Sequence, residues 1–125
     1  MKRHEAVARF TQLSDGYDGM MTAYADLCGN PRWAEHFRMI PYRMHGGLVR
    51  WVLFGIVPGD FLQAIIRGDL FDAAGRADDE NQRLLYEYAY VLHNGVPSDS
   101  KGPNAFKTWK GMYPDEPEPE PQQAA

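Results

Sequence analysis

Helix punctuation across residues 46–94 constrains this chain more than any other feature. The stretch GGLVRWVLFGIVPGDFLQAIIRGDLFDAAGRADDENQRLLYEYAYVLHN carries four short apolar patterns of helical period. Gly55, Gly68, Gly75 and the Asn94-Gly95 pair stand where helices would stop, since glycine readily takes the left-handed backbone that ends them. Pro58, Asp69 and Asp78 stand where the next helices would start. Turns this closely spaced predict an all-α, compact, single-domain bundle of about six to seven short helices. They do not by themselves specify a chemistry.

The size fits that picture. A chain of 125 residues is one domain and can close a core without metal or disulfide staples. Its lone cysteine, Cys28, can form no internal disulfide, which permits a reducing compartment. The opening Lys2-Arg3-His4-Glu5 is followed by no apolar run, so no secretory leader is expected. No stretch approaches the ~18–20 apolar residues that span a bilayer. Together these point to a cytoplasmic protein with no membrane partner.

Charge is unevenly placed. The net charge of −4 comes from Asp115, Glu116, Glu118 and Glu120, because residues 1–113 carry thirteen acids against thirteen lysines and arginines. A neutral body disfavours nucleic acid, whose non-specific binding is driven by phosphate neutralisation. The last twelve residues, PDEPEPEPQQAA, alternate proline with acid and have nothing to bury. They read as a disordered, solubilising tail or an acidic arm. The expected division is a helical domain over 1–113 and a tail over 114–125.

The first third is less regular. Arg3–Leu13 fits a helix with Val7 and Phe10 on one face, and Ser14 or Asp15 can cap a second helix to about Asp26. Gly16 and Gly19 would weaken that helix. Asn30-Pro31 is a strong start signal, with Trp33, Phe37 and Ile40 at helical spacing before Pro41. Further on, Leu48, Trp51 and Val52 share a face, and the apolar turn Gly55–Gly59 is expected to pack inward. Trp51, Phe61, Leu62, Ile65, Leu70, Leu84, Tyr88 and Leu92 are the expected core. Asp78, Asp79 and Glu80 place charge at the start of what reads as the longest helix, where the helix dipole favours it. Pro103, Phe106 and Trp109 suggest a last short helix ending near Gly111.

Residues 40–111 resemble a family of small accessory proteins of tailed phages and prophages. The likeness rests on Ile40-Pro41, Gly47-Leu48-Val49-Arg50-Trp51, the string Gly55-Ile56-Val57-Pro58-Gly59-Asp60-Phe61-Leu62, then Asp69-Leu70 and Arg76-Ala77-Asp78-Asp79-Glu80-Asn81. It covers a little over half the chain; residues 1–39 and the tail depart from it. The resemblance implies a phage-type accessory product and nothing catalytic. By analogy of class, such proteins act on the host by blocking a defence system or sequestering a signalling ligand.

Among the residues themselves, His4, His36, His45 and His93 form no i, i+4 pair, and Cys28 has no partner at ligand spacing. Neither a metal site nor a catalytic set is expected, and no cofactor. Arg43, His45, Gly46, Gly47, Arg50, Arg67 and Arg76 could form a cradle for a nucleotide-like anion, since guanidinium groups grip phosphate in pairs of hydrogen bonds. The plainer alternative has Arg50 and Arg76 paired with Asp69, Asp78 or Asp79. Tyr86 and Tyr90 lie off the apolar stripe of the last long helix and suit a protein interface, with Tyr17, Tyr42 and Tyr113 adding aromatic surface. Such a surface also admits a homo-oligomer. Residues 49–67 outline a helix-turn-helix, but only Gln63 and Arg67 could read bases.

These features converge on a non-catalytic binding protein acting on a host protein or a small anionic ligand. A DNA-binding regulator is the next reading. A small enzyme with an Arg/Asp site is the third.

Overall fold

The computed structural model describes residues 1–16 and 18–115. Within them the chain forms nine α-helices, two 3-10 turns and no strand. The helices are α1 (Arg3–Leu13), α2 (Gly19–Cys28), α3 (Pro31–His36), α4 (Tyr42–Phe54), α5 (Asp60–Arg67), α6 (Leu70–Arg76), α7 (Asp79–Arg83), α8 (Leu85–Gly95) and α9 (Ala105–Thr108). The expected all-α architecture is therefore observed. Tyr17 and residues 116–125, which include most of the expected tail, lie outside the described residues.

Much of the punctuation acts as its chemistry dictates. Asn30 accepts the Arg32 amide at 3.0 Å and starts α3, with Pro31 at its first position. Asp69 accepts the Asp72 amide at 3.0 Å, and Asp78 accepts the Asn81 amide at 2.8 Å, starting α6 and α7. Other signals move. Gly75 falls inside α6, which ends at Arg76. The second helix starts at Gly19 after Asp18, not at Ser14 or Asp15, so neither Gly16 nor Gly19 sits in a helix interior. The expected longest helix breaks at Leu84, whose amide bonds the Asn81 carbonyl three residues back. Buried Asn81 and Tyr88 bridge the break, the Tyr88 hydroxyl donating to Asn81 Oδ1 at 2.6 Å.

α4 lies at the centre. Seven of its residues are buried, among them Leu48, Val49, Trp51, Val52 and Leu53. A helix leaves its last four carbonyls without partners inside the helix. Here distant parts of the chain supply them. The Trp51 carbonyl accepts from Trp109 Nε1 at 3.1 Å as well as from the Gly55 amide. The Val52 and Leu53 carbonyls accept from the Met112 and Tyr113 amides at 3.0 and 2.8 Å. The Phe54 carbonyl accepts from the Arg3 guanidinium at 3.0 Å, which also bonds the Tyr113 carbonyl. Both ends of the described chain thus close one helix terminus.

That closure corrects the expected inward turn after Gly55. Ile56 and Val57 are 48% and 57% exposed. The Lys110 backbone closes on the start of this turn instead, its carbonyl oxygen 2.8 Å from where a Cβ at Gly55 would stand. The core expectation holds for Trp51, Leu62, Tyr88 and Leu92, while Phe61, Ile65 and Leu84 are half-buried. Leu70 is a correction: it is 63% exposed, because α6 packs on α5 and buries only Ala73. Val7 is likewise exposed, and Ala6 and Phe10 form the buried face of α1.

The boundary of the folded part can be tested. A chain ending at Tyr113 is expected to unfold close to the wild-type urea midpoint, since among described contacts it loses only the pair between Arg3 and the exposed Asp115. A chain ending at Gly111 loses two capping bonds, the Arg3 bond to the Tyr113 carbonyl and the Tyr113 hydroxyl bond to the Leu27 carbonyl. At about 0.5–1.5 kcal/mol each, that truncation should cost roughly 2–6 kcal/mol. Equal midpoints for the two truncations would contradict the capping role.

Candidate functional site

The four arginines of the expected cradle are not gathered by the fold. Arg43, in the first turn of α4, donates to Asp78 Oδ2 at 2.9 Å and stands 3.8 Å from Glu80. The Asn81 amide, with help from Arg43, holds the Asp78 carboxyl below its usual range. Arg50 lies over the Phe10 ring, its guanidinium carbon 5.9 Å from the centroid, and folds back along Gly46. Arg67 and Arg76 both turn to Asp72, at 2.9 and 2.8 Å, and Arg76 also reaches Asp60 at 3.3 Å. The ion-pair alternative is corrected as well: Arg76 pairs with Asp72 and Asp60 and not with Asp69, Asp78 or Asp79, Arg50 lies on Phe10 with no carboxylate, and Asp78 is taken by Arg43.

The Gly-Gly step is a second correction. Gly46 and Gly47 lie inside α4, where their amides bond carbonyls one turn back and are closed to a ligand. A Cβ on Gly47 would stand 2.8 Å from Leu62 Cδ1, so its bareness serves the α4–α5 contact. His45 is 5% exposed, with Nε2 2.9 Å from the Ile40 carbonyl. Burial lowers its pKa against the opposing pull of the Ile40 and Phe37 carbonyls, leaving a neutral core ring. His45 also lines a small hollow of about 190 Å³ with Asp18, Arg38 and Tyr42.

The Cys28 thiol sits 3.2 Å from Met112 Sδ, and burial pushes its pKa up to about 12, so it is protonated at neutral pH. No cluster of three potential metal ligands occurs among the described residues. No helix there is long and apolar enough to cross a membrane. In the helix-turn-helix outline, Gln63 donates to the Pro58 carbonyl at 2.8 Å and Arg67 is held by Asp72. The remaining charged side chain of α5, Asp60, pairs with Arg76.

The tyrosines lead to a more developed feature. Tyr86 is 73% exposed; Tyr90 is 37% exposed and packs edge-on against His36, centroids 5.2 Å apart. Tyr86 neighbours Ala89 and His93 along the helix at i+3 and i+7. Ala89 and His93, with Leu85 and Leu92, form one wall of an open groove of about 360 Å³. Ile65 and Ile66 of α5 and Leu70 and Ala73 of α6 form the rest, and Lys101 lies at the C-terminal end of α8. The lining is overwhelmingly apolar. Phe71, the residue after Leu70, is 89% exposed.

The sequence carries two signals for this groove, neither of them in the arginines. One is the Leu70-Phe71 pair opening a seven-residue helix too short to bury both. The other is the Leu85, Ala89, His93 stripe on α8, which lies beside the buried stripe and lines the groove opposite α5 and α6. No protein-family model, curated protein or solved structure matches the chain.

Proposed function

We propose that this chain is a non-catalytic binding protein of phage accessory type, acting in the host cytoplasm on a host protein. The α5–α6–α8 groove is its binding face. The observation that carries this reading is the open apolar groove lined by Leu70 and Leu85, each followed in sequence by an aromatic residue, Phe71 and Tyr86, that is more than half exposed. Apolar patches of this kind on a folded domain mark interaction sites. A slot between helices suits the apolar face of a partner segment, with aromatic side chains as anchors. Sequestering a nucleotide-like anion has less support, because Arg43, Arg67 and Arg76 already hold carboxylates.

Differential capture tests the reading. Wild-type protein, Phe71→Ser and Arg43→Lys are immobilised and exposed to the same host lysate. Phe71→Ser should keep its melting temperature, since surface changes usually fall within about ±0.5 kcal/mol. It should also lose at least about 90% of the partner retained by wild type, as loss of an exposed aromatic anchor implies. Arg43→Lys should retain it. Equal retention by wild type and Phe71→Ser would remove the groove as the binding face.

A further inference from the structure

We infer that the small hollow lined by His45, Asp18 and Arg38 is a binding site for a free α-amino acid whose side chain ends in a hydroxyl or an amide. The hollow shares no residue with the α5–α6–α8 groove, so this inference and the binding reading stand or fall separately.

The observation that carries it is the Nδ1 atom of His45. The residue is 5% exposed and lines the hollow, yet Nδ1 is buried without a hydrogen-bond partner. The other ring nitrogen fixes its state. Nε2 lies 2.9 Å from the Ile40 carbonyl, which can only accept, so Nε2 carries the proton. Burial lowers the pKa of the ring and so disfavours a second proton. Nδ1 is then a bare lone pair that only a donor can satisfy, and no described residue supplies one. Phe37 and Tyr42 pack edge-on to the ring, with centroids 6.2 and 5.7 Å away. Buried polar atoms are nearly always paired, so an orphan at a hollow calls for an occupant.

The rest of the lining says what carries the donor. Met21 and Ile40 are buried and make the surroundings of His45 apolar. Asp18 and Arg38 are exposed at the rim. Neither side chain has an ion pair or a hydrogen bond among the described residues, and Asp18 gives α2 no side-chain cap. The Tyr42 hydroxyl donates to the Gly16 carbonyl at 3.0 Å, tying the first turn of α4 to the segment before α2. An anion would gain from Arg38 but meet Asp18, and a cation the reverse. A zwitterion answers both, with its carboxylate on the guanidinium and its ammonium group on Asp18. Its side chain then supplies the O–H or N–H that Nδ1 needs. The volume of about 190 Å³ is about six times a water's share of the liquid, which suits a molecule the size of serine or threonine.

Titration of the isotope-labelled full chain, followed by NMR of the imidazole nitrogens, tests this. The probes are L-serine, L-threonine, L-asparagine and L-alanine, each up to about 10 mM. At least one of the first three should bind saturably and shift the His45 Nδ1 resonance. L-alanine, which would leave Nδ1 unpaired, should bind at least about tenfold more weakly. Arg38→Gln and Asp18→Asn change exposed residues and should keep the wild-type melt. Each should weaken binding at least about tenfold, as loss of a charged partner implies. No saturable binding by any of the three, the behaviour of a hollow filled by water alone, overturns the inference. So does L-alanine binding as tightly as the others, or undiminished binding in either variant.

Discussion

Trp51→Ala is expected to destabilise the fold by about 3–5 kcal/mol, the range for deleting a buried tryptophan. Trp51 is 1% exposed, and its ring lies 4.6 Å from that of Phe106. Its Nε1 donates to the Ser100 carbonyl at 2.8 Å, so the truncation also leaves a buried acceptor unpaired. A domain of this size has about 5–15 kcal/mol in hand, so the variant should lose a large share of its stability. Trp51→Phe, which keeps ring volume but not the donor, should lose less. Urea unfolding of the three proteins measures this. A loss below about 1 kcal/mol for Trp51→Ala would mean that the site is not the packed centre described above.

Gly111→Ala is the second large effect. Gly111 has φ +98°, a backbone region that costs a residue with a side chain about 1–3 kcal/mol. A Cβ there would also stand 2.6 Å from the Leu53 carbonyl oxygen and the Phe54 carbonyl carbon. Both contacts are backbone atoms of the helix end that Met112 and Tyr113 close, so relief requires the C-terminal segment to lift away. Gly68→Ala provides the comparison: its φ is +77°, but nothing lies within 4 Å of a Cβ there. The melting temperature should fall further for Gly111→Ala than for Gly68→Ala. Equal losses would show that backbone conformation alone, and not the closure of α4, accounts for the cost.

Local chemistry was legible in this sequence and long-range partnership was not. Asn30, Asp69 and Asp78 act as caps because each needs only an amide two or three residues away. Gly55 and Gly68 end their helices at φ +68° and +77° for an equally local reason. The covering of the Val52 and Leu53 carbonyls by Met112 and Tyr113 had no such local signal. Leu70 shows the same limit. Periodicity says which residues share a face, but not whether another element covers that face, and α6 has none over Leu70. The arginines were grouped by nearness in sequence; folding sent Arg43 to α7 and drew Arg67 and Arg76 to one carboxylate, Asp72. Tyr86 was legible as surface because it stands off the buried stripe of its helix. The groove beside it required the separation of α6 from α8.

The most direct test of the groove as binding face is amide hydrogen exchange on the full chain, with and without the host partner that wild type retains. Protection on binding should concentrate in Leu70–Ala73 and Leu85–His93, and the Arg43–Arg50 turns of α4 should be unchanged. Protection centred on Arg43–Arg50, with residues 70–73 and 85–93 unaffected, would contradict it.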